Sequence, residues 1–229
     1  MLELIDVSKS YDIGGHAVTA LDGVTARFET ASFCSIVGPS GAGKSTLLHI
    51  LGALDVADHG SVRFDGQDIG GFTDNQLSQF RRNTIGFVFQ FFNLLPAMNA
   101  WENVALPTLL NGGTLRSAKP RALELLEMVD LAERAEHRPA ELSGGQMQRV
   151  AVARALMMDA PIILADEPTG NLDSRSGAML LDLFRRIAHD PERSRTVITV
   201  THDREAIAAT DRVLTLQDGA IVADENGGA

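Results

Sequence analysis

The sequence predicts an α/β fold: a mostly parallel sheet wrapped by helices and interrupted by a helical insertion. Three observations carry that reading. The apolar run Ser35-Ile36-Val37 leads through the glycine-rich stretch Gly38-Pro39-Ser40-Gly41-Ala42-Gly43-Lys44-Ser45 into a helical pattern from Thr46 to Leu51. Further apolar runs at 85–88, 162–165 and 196–200 end in Gln90, in Asp166-Glu167 and in His202, as buried parallel strands do when their carboxyl ends open on a ligand crevice. From about 91 to 159 the pattern becomes helical.

Taken in order, 2–7, 17–28 and 61–64 read as strands, with turns at Asp22-Gly23 and Asp65-Gly66. Tyr11, the only tyrosine, follows the first of them in Ser8-Lys9-Ser10-Tyr11. Segments 32–37, 85–88, 162–165 and 196–200 form the core sheet. In the insertion, Arg121 to Ala135 carries Leu123, Leu125, Leu126, Val129 and Leu131 on one helical stripe, which packing explains. Asn111-Gly112-Gly113-Thr114 and Arg138-Pro139-Ala140 are loops, and a helix follows from Gln146 to Met158. Strands at 212–217 and 220–223 flank an Asp218-Gly219 turn. The chain reads as one domain over 1–225, with a core at about 1–90 and 160–225, a helical subdomain at about 91–159 and a frayed tail at 226–229.

The glycine-rich stretch fits G-x-x-x-x-G-K-[ST] in its required strand–loop–helix setting. Gly38, Gly41 and Gly43 let the backbone approach a ligand, so that the N–H groups of the loop, which also holds Pro39, Ser40, Ala42 and Thr46, converge on phosphate oxygens. The helix that follows aims its positive end at the same point. Lys44 supplies a point charge for the β- and γ-phosphates, and the Ser45 hydroxyl can ligate Mg²⁺. Two acids at a strand end are most often solvated. After a phosphate loop, Asp166 reads instead as part of a Mg²⁺ shell and Glu167 as a general base for water.

Leu142-Ser143-Gly144-Gly145-Gln146 opens a second helix with a small polar cap and two glycines, which makes a second anion-binding helix end. One nucleotide already has its cradle, so this is a second phosphate-facing helix end.

These two motifs together resemble the ATP-binding cassette (ABC) family, over essentially the whole chain. That resemblance implies a P-loop NTPase cassette with a RecA-like parallel sheet, an antiparallel β subdomain and the helical insertion. It implies ATP and Mg²⁺ as ligands and a homodimer formed on ATP binding, with Ser143, Gly144, Gly145 and Gln146 of one subunit closing over the loop-bound ATP of the other. It also implies roles for single residues. Gln90 senses Mg²⁺ and the lytic water, His202 touches the γ-phosphate, Tyr11 stacks on adenine, and Asn171-Leu172-Asp173 crosses to the second subunit. For Tyr11, a hairpin aromatic covering the core edge is the plainer reading. Asp166-Glu167-Pro168-Thr169-Gly170-Asn171-Leu172-Asp173, with Phe87-Val88-Phe89-Gln90 and Asn93-Leu94-Leu95-Pro96, resembles the branch of lipoprotein-release, macrolide-export and cell-division ATPases. The implied function is a cytosolic ATPase driving an integral membrane permease, in export or extraction of a lipid-linked or amphipathic substrate. The alternative is mechanical signalling through a permease-like partner that transports nothing.

Composition sets limits. A net charge of −10 argues against a nucleic-acid groove, which needs a basic stripe. A single cysteine, Cys34, leaves no disulfide framework and suits a reducing cytoplasm. No apolar stretch is long enough to span a bilayer and the start lacks a secretory signal, so membrane contact is expected only through the permease, on the inner face. Phe91 and Phe92 read either as packing between lobes or, with Leu94, Leu95 and Met98, as a groove for a permease helix. Ala31-Ser32 stands where the family commonly has Gly-Glu in a tight turn, so a different turn is expected there.

Overall fold

The computed structural model describes residues 1–227. Its centre is a six-stranded sheet formed by β3 (Phe33–Val37), β6 (Ile85–Phe89), β7 (Ile162–Asp166), β8 (Thr196–Val200), β9 (Arg212–Gln217) and β10 (Ala220–Asn226), in the order β10-β9-β3-β8-β7-β6. All neighbours run parallel except the β9–β10 hairpin. β3 and β8 are near-continuous β-branched or apolar runs because helices cover both faces.

A four-stranded sheet, β2-β1-β4-β5, lies beside it, built from β1 (Leu2–Ile13), β2 (His16–Phe28), β4 (His59–Phe64) and β5 (Gln67–Asp68). β1 runs beyond the expected Val7. It reaches Ile13 by absorbing irregularities between Leu4 and Ser10, so Tyr11 sits within the strand, opposite Val18.

Helix α1 (Lys44–Leu51) follows β3, and α2 (Asp74–Thr84) precedes β6. The insertion holds α3 (Ala100–Leu110), α4 (Leu115–Met128) and α5 (Gly144–Ala155), packed on one another around Trp101, Val104, Leu125, Leu126 and Val150. α6 (Ser174–Ala188) and α7 (Arg204–Ala208) complete the chain.

Local chemistry explains where the boundaries depart from expectation. α4 begins at Leu115, not Arg121, because Thr114 and Ser117 form a reciprocal cap. It ends at Met128, since Asp130 turns left-handed at φ 57°, while Val129 and Leu131 stay buried beyond the helix. α5 begins two residues early because Ser143 caps it. The expectation of an altered turn at Ala31 is corrected: Ala31 adopts φ 56°, the left-handed conformation glycine would take. The tail is corrected too. Asn226 pairs with Arg212 in β10, and the Gly227 N–H donates to the Asp211 carbonyl at 2.7 Å, while 228–229 lie outside the described residues.

Candidate nucleotide site

The loop between β3 and α1 is shaped by glycines that nothing else could replace. A Cβ at Gly38 (φ 154°) would stand 2.1 Å from the Leu216 carbonyl oxygen, and one at Gly43 (φ 97°) 2.2 Å from that of Ala20. Gly43 is also the N-cap of α1 and brings no side chain, so the first N–H groups of the helix stay open to a ligand. The Lys44 ammonium lies over the loop, donating to the Gly38 and Pro39 carbonyls at 2.9 Å each. Pro39, Ser40, Gly41, Ala42, Ser45 and Thr46 complete this stretch of the loop and the first turn of α1, with Ser40 and Ser45 exposed.

Next to it, β7 delivers Asp166, in register with Phe89 of β6 and Val200 of β8. Burial and the neighbouring Glu167 charge hold the Asp166 carboxyl above its ordinary value, while His49 and Lys44 oppose that shift. Glu167 leaves the strand at φ 44°, fixed by its N–H donating to the Val200 carbonyl at 2.9 Å. A carboxylate in the left-handed region is sterically costly, and such strain concentrates at functional positions. Glu167 Oε1 lies 2.9 Å from His202 Nδ1, and Oε2 is buried without a partner. His202 itself is exposed. The hydrogen bond and charge of Glu167 raise its pKa above the usual 6.5.

Two residues that sequence reasoning passed over hold this corner. Thr169 Oγ1 donates to Asp203 Oδ2 at 3.0 Å, and the Asp203 N–H donates to Thr201 Oγ1 at 3.0 Å, tying the turn after Glu167 to the loop that carries His202. The Thr-Gly after Pro168 and the Asp after the histidine were the available signals.

Gln90 follows β6, and its carbonyl accepts from Asn171 Nδ2 at 3.0 Å. Its amide nitrogen would lie 2.9 Å from a Cβ at Gly170. Asp173 caps α6, accepting from the Ser176 N–H at 3.0 Å. Tyr11 is half-buried, with its hydroxyl donating to Asp55 at 2.7 Å.

Ser143, Gly144, Gly145 and Gln146 stand in the helical lobe. The Ser143 hydroxyl accepts from the Gln146 N–H at 3.3 Å, and the Gln146 side-chain oxygen accepts from the Ser143 N–H at 2.8 Å, so that amide oxygen serves the cap. α5 packs against α3, α4, α6 and β6, whereas α1 packs against β2, β7 and β8. The sequence-predicted residues thus fall into two groups on separate lobes.

The residues expected to form an apolar groove lie outside the lining of the cavity nearest in sequence. A cavity of about 310 Å³ does lie at the lobe junction, but Phe87, Phe89, Leu106, Pro107, Leu110 and Met158 line it, not Phe91, Phe92, Leu94, Leu95 or Met98. Phe91 points outward at 71% exposure, and Leu94 packs into the core beside α3. Buried Asn103 anchors 95–99, accepting from the Leu95 N–H at 2.7 Å and donating to the Leu95, Met98 and Asn99 carbonyls. Among the described residues no helix is long and apolar enough to cross a membrane.

Comparison with known proteins bears on this geometry. The profile of the ABC transporter family matches residues 21–170. An uncharacterized ABC transporter ATP-binding protein of Thermotoga maritima is 47% identical over 100% of this chain and 96% of its own length. The macrolide export ATP-binding/permease protein MacB of Chlorobaculum tepidum is 46% identical over 98% of this chain, which spans 34% of that longer protein. The ATP-binding cassette MJ0796, solved as a post-hydrolysis dimer bound to ADP and Pi, superposes with a TM-score of 0.88 at 41% identity, covering 99% of this chain and 98% of that one. With its phosphate loop, paired acids and signature helix in this arrangement, the chain belongs to the ABC transporter family as an ATP-hydrolysing cassette.

Proposed function

We propose that two copies of this chain close head to tail on ATP and hydrolyse it to drive a membrane permease at the inner face of the membrane. The observation that carries this reading is the Glu167–His202 pair, standing where β7 and β8 end beside the glycine loop. In this reading the loop N–H groups and Lys44 hold the β- and γ-phosphates, and Tyr11 stacks on the adenine. Glu167 takes a proton from water as its oxygen bonds to the γ-phosphorus. The bond to the bridging oxygen then breaks, releasing ADP and phosphate. His202 turns from Glu167 to the γ-phosphate.

The donors fit Mg²⁺. Ser45, Asp166 and Gln90 offer hard oxygens, and next to Asp166 the buried Oε2 of Glu167 has no hydrogen-bond partner. Such an ion supplies charge neutralisation on the phosphates.

Ser143, Gly144 and Gly145 act on the nucleotide of the second copy, in keeping with their separate lobe and with the dimeric MJ0796 relative. Two-fold symmetry then gives two shared sites. The apolar cavity between β6 and α3 suits a short permease helix. The likeness to a macrolide export protein supports export of an amphipathic substrate as the work done.

The test is Glu167→Gln examined by phosphate release and by size exclusion with ATP. Hydrolysis is expected to fall at least a hundredfold while an ATP-bound dimer accumulates, because the ligand joining the halves is no longer destroyed. Near wild-type turnover in that variant would remove Glu167 from the role of base.

A further inference from the structure

The aromatic residue at the base end of the site is tied to the phosphate end through one helix. Tyr11 Oη donates to Asp55 Oδ2 at 2.7 Å. Asp55 stands four residues beyond Leu51, the last residue of α1, and the backbone there stays fastened to that helix. The Leu54 and Asp55 N–H groups both donate to the His49 carbonyl, at 2.8 and 3.3 Å.

Lys9 closes the arrangement from the side of β1. Its ammonium lies 3.1 Å from Asp55 Oδ1 and 3.2 Å from Asp58 Oδ1, and it donates to the Val56 carbonyl at 2.8 Å. It also stands 5.4 Å from the centre of the Tyr11 ring. Asp58 in turn accepts from the Ser10 N–H at 2.7 Å. Burial pushes the Asp55 carboxyl up, but the bonds from Tyr11, the Val56 N–H and Lys9 outweigh it, so the carboxyl stays below its ordinary value. Burial and then the Asp55 bond push the Tyr11 phenol up, against a smaller opposing contribution from Thr46.

A tyrosine on a hairpin strand beside solvent ordinarily samples several rotamers, and ordering it on binding weakens affinity. A charge-assisted bond to a carboxylate removes that freedom in advance. We propose that Asp55, held by Lys9, is a positioning residue for nucleotide binding: it fixes the Tyr11 ring relative to α1, whose opposite end forms the phosphate cradle. The spacing between base platform and phosphate site is then set by a single helix. This rests on the reading of Tyr11 as the adenine-stacking residue.

Because the chain has a single tyrosine, labelling the intact protein with 3-fluorotyrosine yields one ¹⁹F resonance, from position 11. That resonance is expected to shift in Asp55→Asn before any nucleotide is added. Asp55→Ala is expected to raise KM for ATP about three- to tenfold, the range that ordering one side chain accounts for, with kcat within about twofold. Asp55→Glu, which keeps a carboxylate, should recover part of the loss. In a Tyr11→Ala background, Asp55→Ala should add nothing, as for residues acting through one contact. An unmoved resonance in Asp55→Asn, or an equal rise in KM from Asp55→Ala without the ring, overturns the proposal. The two readings fail differently. If Tyr11→Ala leaves KM unchanged, stacking itself is wrong and the positioning role goes with it. If Tyr11→Ala raises KM while Asp55→Ala does not, only the positioning role is lost.

Discussion

His202 Nδ1 and Glu167 Oε1 lie 2.9 Å apart, so the two groups that β7 and β8 deliver to the phosphate end of the site are bonded to each other. The carboxylate accepts the bond, which favours the protonated ring and raises His202 above 6.5.

The sign of the pH dependence follows. A raised histidine pKa contributes stability that is complete below pH 6.5 and is lost as pH rises through the higher folded value. NMR titration of the His202 ring should give a midpoint above 6.5 in the wild type and a return toward 6.5 in Glu167→Gln. A midpoint that does not respond to Glu167→Gln would mean the pair is not formed in solution.

Ala31 offers a test of backbone strain. Its left-handed φ of 56° on an exposed turn costs about 1 kcal/mol relative to glycine. Glycine gives back part of that through its freer unfolded chain. Ala31→Gly should therefore raise Tm by roughly 1–2 °C, and Ala31→Val should lower it by about 3 °C or more. Calorimetry showing Gly below Ala would contradict the conformation.

Leu110 stands at the mouth of the cavity beside β6, 66% exposed in this chain. Leu110→Glu should abolish co-purification with the proposed permease partner while moving Tm by less than about 1 °C, as surface changes usually do. Phe91→Ala should retain the partner, because Phe91 does not line the cavity. Loss of the partner in Phe91→Ala but not in Leu110→Glu would restore the groove first expected around Phe91 and Phe92.

Much of this was legible in the chain, and the gaps have physical causes. The loop at 38–45, the acids at 166–167 and the ends of β6, β7 and β8 were readable, because a buried parallel strand leaves a continuous apolar run and its ligand-facing end a polar break. The span of β1 was not, since its irregularities shift the in–out alternation by which a strand is recognised. α6 went unread although Leu180, Leu181, Phe184 and Ile187 form its buried stripe behind the Asp173 cap. The outward stance of Phe91 was not legible, because sequence adjacency to Gln90 says nothing of direction. Asn103, four residues into α3, pulls 95–99 against the lobe, and β6, the far end of α3 and Arg154 line the cavity. Asp55 could not be paired with Tyr11 from sequence, since the two are 44 residues apart and meet only through the fold.

Sharing of each ATP between two chains is tested most directly by mixing Ser143→Arg with Lys44→Ala protein and measuring phosphate release. Each variant alone should be nearly inactive, since every site in its homodimer carries one lesion. Their heterodimer has one intact site and one with both lesions. The mixture should regain activity, up to roughly a quarter of wild type if random pairing makes half the dimers mixed and each holds one working site of two. A mixture no more active than its components, with Ser143→Arg losing ATP binding as fully as Lys44→Ala, would place the signature and the phosphate loop on the same nucleotide within one chain.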